Sequence, residues 1–182
     1  MFEEKIRELM ENMMSERGFK LWTGINDMLP NIWIKPTSST GKYHQKADGR
    51  VPDVGEHTFE MLNAAAKIMS MFGCNPKTNE ADIIMMSVAL HDGLKYGQDG
   101  LKDHTIKEHD SMIADVVNEN RLALLKLYSD DQINDLVDAL RFHSGRWSNE
   151  ADINNFSFSD RTPLAMFTHI LDMLSTKDCL KI

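Results

Sequence analysis

The sequence predicts an all-α domain, and three observations carry that expectation. Apolar residues recur at helical spacing in stretch after stretch of the chain. Those stretches are bounded by helix start and stop residues, such as Thr78, Gly73 and Thr162-Pro163. No segment alternates apolar and polar over a strand length, and only Ile32 to Lys35 leaves room for a short strand. With 182 residues, 42% hydrophobic and 26% charged, the chain fits one domain with a sizeable core. A single bundle of about six to eight helices over residues 1–182 is expected, with 1–18 as a packing helix and 33–178 as the core.

In chain order, Phe2, Ile6, Leu9, Met10, Met13 and Met14 mark an amphipathic helix over 2–17, with Gly18 as its expected stop. From Phe19 to Arg50 the periodicity fails, and Trp22, Leu29, Ile32, Trp33 and Ile34 are scattered among Gly24, Pro30, Pro36 and Gly41. A long loop of this kind is commonly functional. It is locally basic, with Lys35, Lys42, Lys46 and Arg50 against Asp48 alone, and with its hydroxyls and His44 it suits phosphate contacts. Val54 to Phe72 reads as a helix with His57 in its first turn, closed by Gly73. Thr78 caps the next helix, residues 79–92, whose run from Ile83 to Leu90 is apolar enough to be the most buried of the domain. After a polar loop, Met112, Ile113, Val116 and Val117 define a helix opening near His109, and Leu122 to Leu127 continue helically. Ser129 and Gln132 form a capping-box pattern ahead of Ile133, Leu136, Val137 and Leu140. That helix ends at Phe142-His143-Ser144-Gly145-Arg146-Trp147, and residues 148–161 read as a polar loop. Thr162-Pro163 then opens a last helix carrying Leu164, Phe167, Ile170 and Leu171, with His169 and Asp172 one turn apart.

The formal charge of −8 argues against a stable nucleic-acid partner, which ordinarily requires a basic face. A nucleotide substrate stays open, because bound cations supply positive charge locally. Cys74 and Cys179 have no metal-type or disulfide-framework spacing and suit free thiols in a reducing compartment. With no secretory pattern at Met1-Phe2-Glu3 and no apolar run of spanning length, a soluble cytoplasmic protein is expected.

The chemistry concentrates at His91-Asp92, an imidazole and a carboxylate at the end of the most apolar helix. Buried ionisable groups are costly unless paired or bound to a metal. His57, His109, His143 and Asp172 lie at or near the ends of other apolar helices. Imidazoles and carboxylates suit first-row transition metals, and a bridging carboxylate suits a pair of them. Each residue alone has a bland reading as a cap or a surface group. Their order, His, His-Asp, His, His, Asp, is more distinctive.

That order resembles the HD-domain metal-dependent phosphohydrolases over residues 33–178. His91-Asp92-Gly93-Leu94-Lys95-Tyr96-Gly97 is similar to the family's HD-x-x-K-Y-G, with Gly93-Leu94 in place of the usual Ile/Leu-Gly. Glu56-His57-Thr58 resembles its first-histidine motif. Pro36-Thr37-Ser38-Ser39 with Lys42-Tyr43-His44, and His143-Ser144-Gly145-Arg146-Trp147, resemble segments of a subgroup that includes YhaM-type 3′–5′ exoribonucleases. His169-Ile170-Leu171-Asp172 resembles the closing helix.

The resemblance implies one metal ion on His57, His91, Asp92 and Asp172, with Asp92 bridging to a second on His109 and His143. The ions would be Mn, Fe, Co or Ni, with Mg also admissible, and water acidified by them would attack phosphorus. Lys95 would stabilise the charge that develops. Lys42, His44 and Arg146 are candidate substrate contacts. His104 competes with His109, which is preferred because it opens an amphipathic helix. The expected substrate is a small phosphorylated compound, a nucleotide or cyclic nucleotide. The alternatives are a 3′–5′ exonuclease, a di-iron oxygenase and a non-catalytic domain.

Overall fold

In the computed structural model, residues 2–38, 45, 46 and 48–175 are described. In chain order the helices are α1 (Phe2–Met13), α2 (Glu16–Asn26), α3 (Val54–Met71), α4 (Asn79–Leu90), α5 (His109–Glu119), α6 (Arg121–Leu124), α7 (Asp130–Arg141) and α8 (Pro163–Ser175). Two 3₁₀ turns, Gly145–Trp147 and Phe158–Asp160, complete the regular structure, and no strand occurs among the described residues. The all-α expectation holds.

Helix α4 is the axis of the bundle. It packs against α1, α2, α3, α7 and α8. Nine of its twelve residues are buried, Met85, Met86, Val88 and Leu90 completely, so its apolar run is core on every side. Thr78 caps it by accepting from the Ala81 N–H. The capping box at α7 is also present, Ser129 and Gln132 each bonding the other's backbone N–H at 3.2 and 3.0 Å.

Helix α2 corrects the expectation of a loop after Gly18. Ser15 caps it, its Oγ accepting from the Gly18 N–H at 3.0 Å, and Gly18, Trp22 and Ile25 form a buried stripe. Gly18 sits inside the first turn because backbone and carboxylate meet there: a Cβ would lie 2.1 Å from Asp82 Oδ2. Asp82, fully buried in the first turn of α4, accepts from Ser15 N–H and Ser15 Oγ, both at 2.6 Å, and from the Tyr128 hydroxyl at 3.0 Å. A helix-breaking residue in the sequence is thus a contact residue in the fold.

The connection from α2 to α3 is irregular but tied down. Trp33-Ile34 forms a turn rather than a strand, and pairing is limited to a single bridge between Pro36 and Asp53. Thr37 N–H donates to Pro52 O and Gly55 N–H to Trp33 O, both at 2.9 Å, and the Tyr96 hydroxyl donates to Pro36 O. The basic residues described here serve the fold. Lys46 pairs with Glu60, Arg50 grips Glu56 at 2.5 and 2.8 Å, and Lys35 lies 5.0 Å over the Tyr96 ring. Lys42 and His44 lie outside the described residues, as does Cys179. No helix among those described is long and apolar enough to cross a membrane.

Candidate metal centre

His91 and Asp92 occupy the turn just beyond α4, where the chain tightens to three-residue bonds: Gly93 N–H to Leu90 O and Lys95 N–H to Asp92 O, both at 2.9 Å. His57 comes from the first turns of α3, His109 from the start of α5, and His143 from just past the end of α7. His57, His91, Asp92, His109 and His143 are all buried, at 0–7% exposure. Helix ends from four directions therefore converge on one dry spot.

The imidazoles are oriented by one repeated device. The Nδ1 of His91 lies 2.8 Å from Val88 O, that of His109 2.8 Å from Ile106 O, and that of His143 2.7 Å from Leu140 O. A carbonyl can only accept, so each Nδ1 carries the hydrogen. His57 Nδ1 reaches Ser175 Oγ at 2.9 Å, and that hydroxyl donates to Asp172 O at 2.7 Å, so His57 donates too. The four Nε2 atoms are then left as lone-pair donors facing inward.

They face one another closely. His57 and His91 Nε2 are 3.2 Å apart, as are those of His109 and His143. Two lone pairs repel at that distance unless a cation lies between them. Ligands about 2.1 Å from one ion are separated by about 3.0–3.4 Å, the edge of an octahedron or tetrahedron. The spacing is that of a coordination edge, and the donor set fits a transition metal.

Asp92 stands between the two pairs with one oxygen toward each. Its Oδ2 is 3.5 Å from His91 Nε2 and 3.9 Å from His57 Nε2, while Oδ1 is 3.4 Å from His109 and 3.7 Å from His143. Two three-residue groups result, His57–His91–Asp92 and Asp92–His109–His143, each with donor atoms within 4.8 Å of one another. Asp172 Oδ1 lies 3.3 Å from His57 Nε2, extending the first group. Lys95 Nζ is 2.5 Å from Asp92 Oδ2 and is itself buried.

The electrostatics follow from this packing. Burial alone would push the Asp92 carboxyl up, but the Lys95 ammonium and His91 beside it hold it well below the ordinary carboxylate range. Burial pushes His57 and His143 down against the attraction of Asp172 and Asp92, respectively, which keeps their rings neutral and available. Burial opposes charge on His91 as well, but Asp92 and Asp172 outweigh it and raise its pKa.

The structure thus assembles His57, His91, Asp92, His109, His143, Asp172 and Lys95. His104 stays outside, exposed and 2.6 Å from its neighbour Asp103. Arg146 is exposed, its guanidinium stacked 4.7 Å over Trp147. Ser175 escaped the sequence reading, and His169 entered it only as part of the closing-helix segment, with no role of its own. The signal was present on α8, where Thr168, His169, Asp172 and Ser175 interrupt an apolar helix at three- to four-residue intervals.

A cavity of about 270 Å³ reaches Asp92 and Gly93 from the side of the α2–α3 connection. Leu29, Pro30, Ile32 and Trp33 form its apolar wall, Glu3 and Asp27 add acidic groups, and no lysine or arginine lines it among the described residues. A wider groove of about 570 Å³ between α7 and the start of α8 contains none of the ligand set. Its arginines are each paired with acids, Arg121 with Asp130, Arg141 with Asp115 and Glu150, and Arg161 with Asp138.

All eight helices and this centre thus define an all-α chain with buried His/Asp groups able to hold metal. Comparison with known protein families, with curated proteins and with solved structures finds no match.

Proposed function

We propose that the chain is a metal-dependent phosphohydrolase of the HD type, cleaving a phosphate ester or anhydride of a small compound. The observation that carries the reading is Asp92 set between two imidazole pairs, one oxygen toward each. That arrangement suits two ions sharing one carboxylate, with Mn, Fe, Co or Ni favoured by the nitrogen donors and Mg admissible. Bound divalent ions acidify water and polarise phosphoryl oxygens.

The chain's own residues supply the rest. His57, His91 and Asp172 would hold one ion and His109 and His143 the other, with Asp92 common to both. Lys95 brings an ammonium to the same carboxylate from within a buried site, where charge acts strongly. With Asp92 committed to metal, Lys95 would be free to meet a phosphoryl oxygen and stabilise charge as it develops. The apolar cavity beside Asp92 suits the organic part of the substrate. The acidic residues Glu3 and Asp27 in its lining disfavour additional phosphates there, which favours a compact phosphoester such as a nucleotide or cyclic nucleotide.

The test is a panel of nucleotides, cyclic nucleotides and simple phosphoesters, assayed with Mn²⁺, Co²⁺, Ni²⁺ and Mg²⁺. Lys95→Met is expected to lower kcat by roughly 10²–10³-fold while metal content is unchanged. No hydrolysis across the panel, or a Lys95→Met protein with the parental kcat, would count against the reading.

A further inference from the structure

His169 is a half-buried imidazole on α8 that the candidate ligand set does not use. Its Nδ1 lies 2.7 Å from the main-chain oxygen of His143, so the ring donates a hydrogen bond to the backbone of a metal-site residue. The contact is built for close approach. Gly145, at φ +62°, lies flat on the ring, and a Cβ there would sit 2.7 Å from His169 Cε1. His169 also packs on Phe158, with ring centroids 4.9 Å apart, and Phe158 in turn meets Phe156 edge to face at 4.9 Å.

His143 lies two residues beyond the end of α7, and its Nδ1 donates to Leu140 O. The helix end leaves main-chain carbonyls without helical partners, and His169 takes the one belonging to His143 itself. The same helix serves the other half of the centre, since Asp172 and Ser175 both face His57. One side of α8 thus touches both imidazole pairs, by different residues.

We infer that His169 is a positioning residue for the second ion: through the His143 carbonyl it fixes where His143 Nε2 points, and so governs occupancy of the Asp92–His109–His143 group. The inference rests on the metal-centre reading above, but not on the reaction proposed for it. His57 and His91 are oriented instead through Ser175 and the Val88 carbonyl, so in this scheme the first ion is bound independently of His169.

The experiment compares wild type, His169→Phe and His169→Asn by titrating the metal-free chain with Co²⁺, followed by visible absorption and calorimetry. Phenylalanine keeps the ring against Phe158 and Gly145 but has no donor. Asparagine keeps a donor near the Nδ1 position but has no ring. The second equivalent is expected to weaken by roughly 10–100-fold in His169→Phe and to recover to within a few-fold of wild type in His169→Asn, with the first unaffected. If His169→Phe does not fold, His169→Leu serves as the donorless variant. Equal second-ion affinity in all three proteins, or a loss in Asn with retention in Phe, overturns the inference. A wild type that takes up only one ion overturns it as well. A wild type that takes up no ion overturns the metal-centre reading itself, which separates the two failures.

Discussion

Asp92→Asn is expected to lose both ions and to lower phosphoester hydrolysis by on the order of 10³-fold or more, the rate equivalent of several kcal/mol of electrophilic stabilisation. Asparagine matches aspartate in volume, so the helical content read by circular dichroism should stay parental. What changes is charge. Asp92 is the one residue shared by both donor groups, and it offers an oxygen to each. Without its carboxylate, only Asp172, at the first pair, is left against the Lys95 ammonium, which repels a divalent cation in so dry a site. Elemental analysis and initial rates measure the outcome. A folded Asp92→Asn protein with parental metal content and rate would remove the basis of the assignment.

The second large effect lies at the opposite end of the same helix. Asp82→Ala is expected to destabilise the fold by on the order of 4 kcal/mol, since it strands the Ser15 N–H, the Ser15 hydroxyl and the Tyr128 hydroxyl at about 1–3 kcal/mol each. Against a typical total of about 5–15 kcal/mol, that is a large share. Urea unfolding should show a lower midpoint with an unchanged slope, while the fraction still folded keeps its metal affinity. The contrast between the two aspartates is instructive. Both are buried carboxylates, one in the first turn of α4 and one just past its end, but Asp82 meets three hydrogen donors, whereas Asp92, apart from Lys95, meets imidazole nitrogens whose hydrogens are committed elsewhere. A loss of less than about 1 kcal/mol at Asp82 would mean that water replaces those contacts.

These residues also mark how far the sequence could be read. Helices α4, α7 and α8 begin where their caps predict, because pattern and capping chemistry agree there. Helix α2 was illegible because Gly18 and Gly24 imitate stop signals. The reason for Gly18 is a tertiary contact with Asp82, invisible in local sequence. The convergence of the candidate ligands was legible since helix ends carry them and their order is distinctive. Their orientation was not, because that depends on the main-chain carbonyls of Val88, Ile106 and Leu140, which every residue type supplies. The basic loop misled in part. Lys46 and Arg50 looked like phosphate contacts, yet Glu60 and Glu56 of α3 neutralise both. Charge counted along the chain missed partners that folding brings from another element.

The geometry of two imidazole pairs around one carboxylate is tested most directly by the metal content of the wild-type chain. Protein purified without chelator, stripped, and titrated with Mn²⁺ or Co²⁺ is expected to take up two ions saturably, both lost in Asp92→Asn. Absence of saturable uptake by the folded wild-type protein would contradict it.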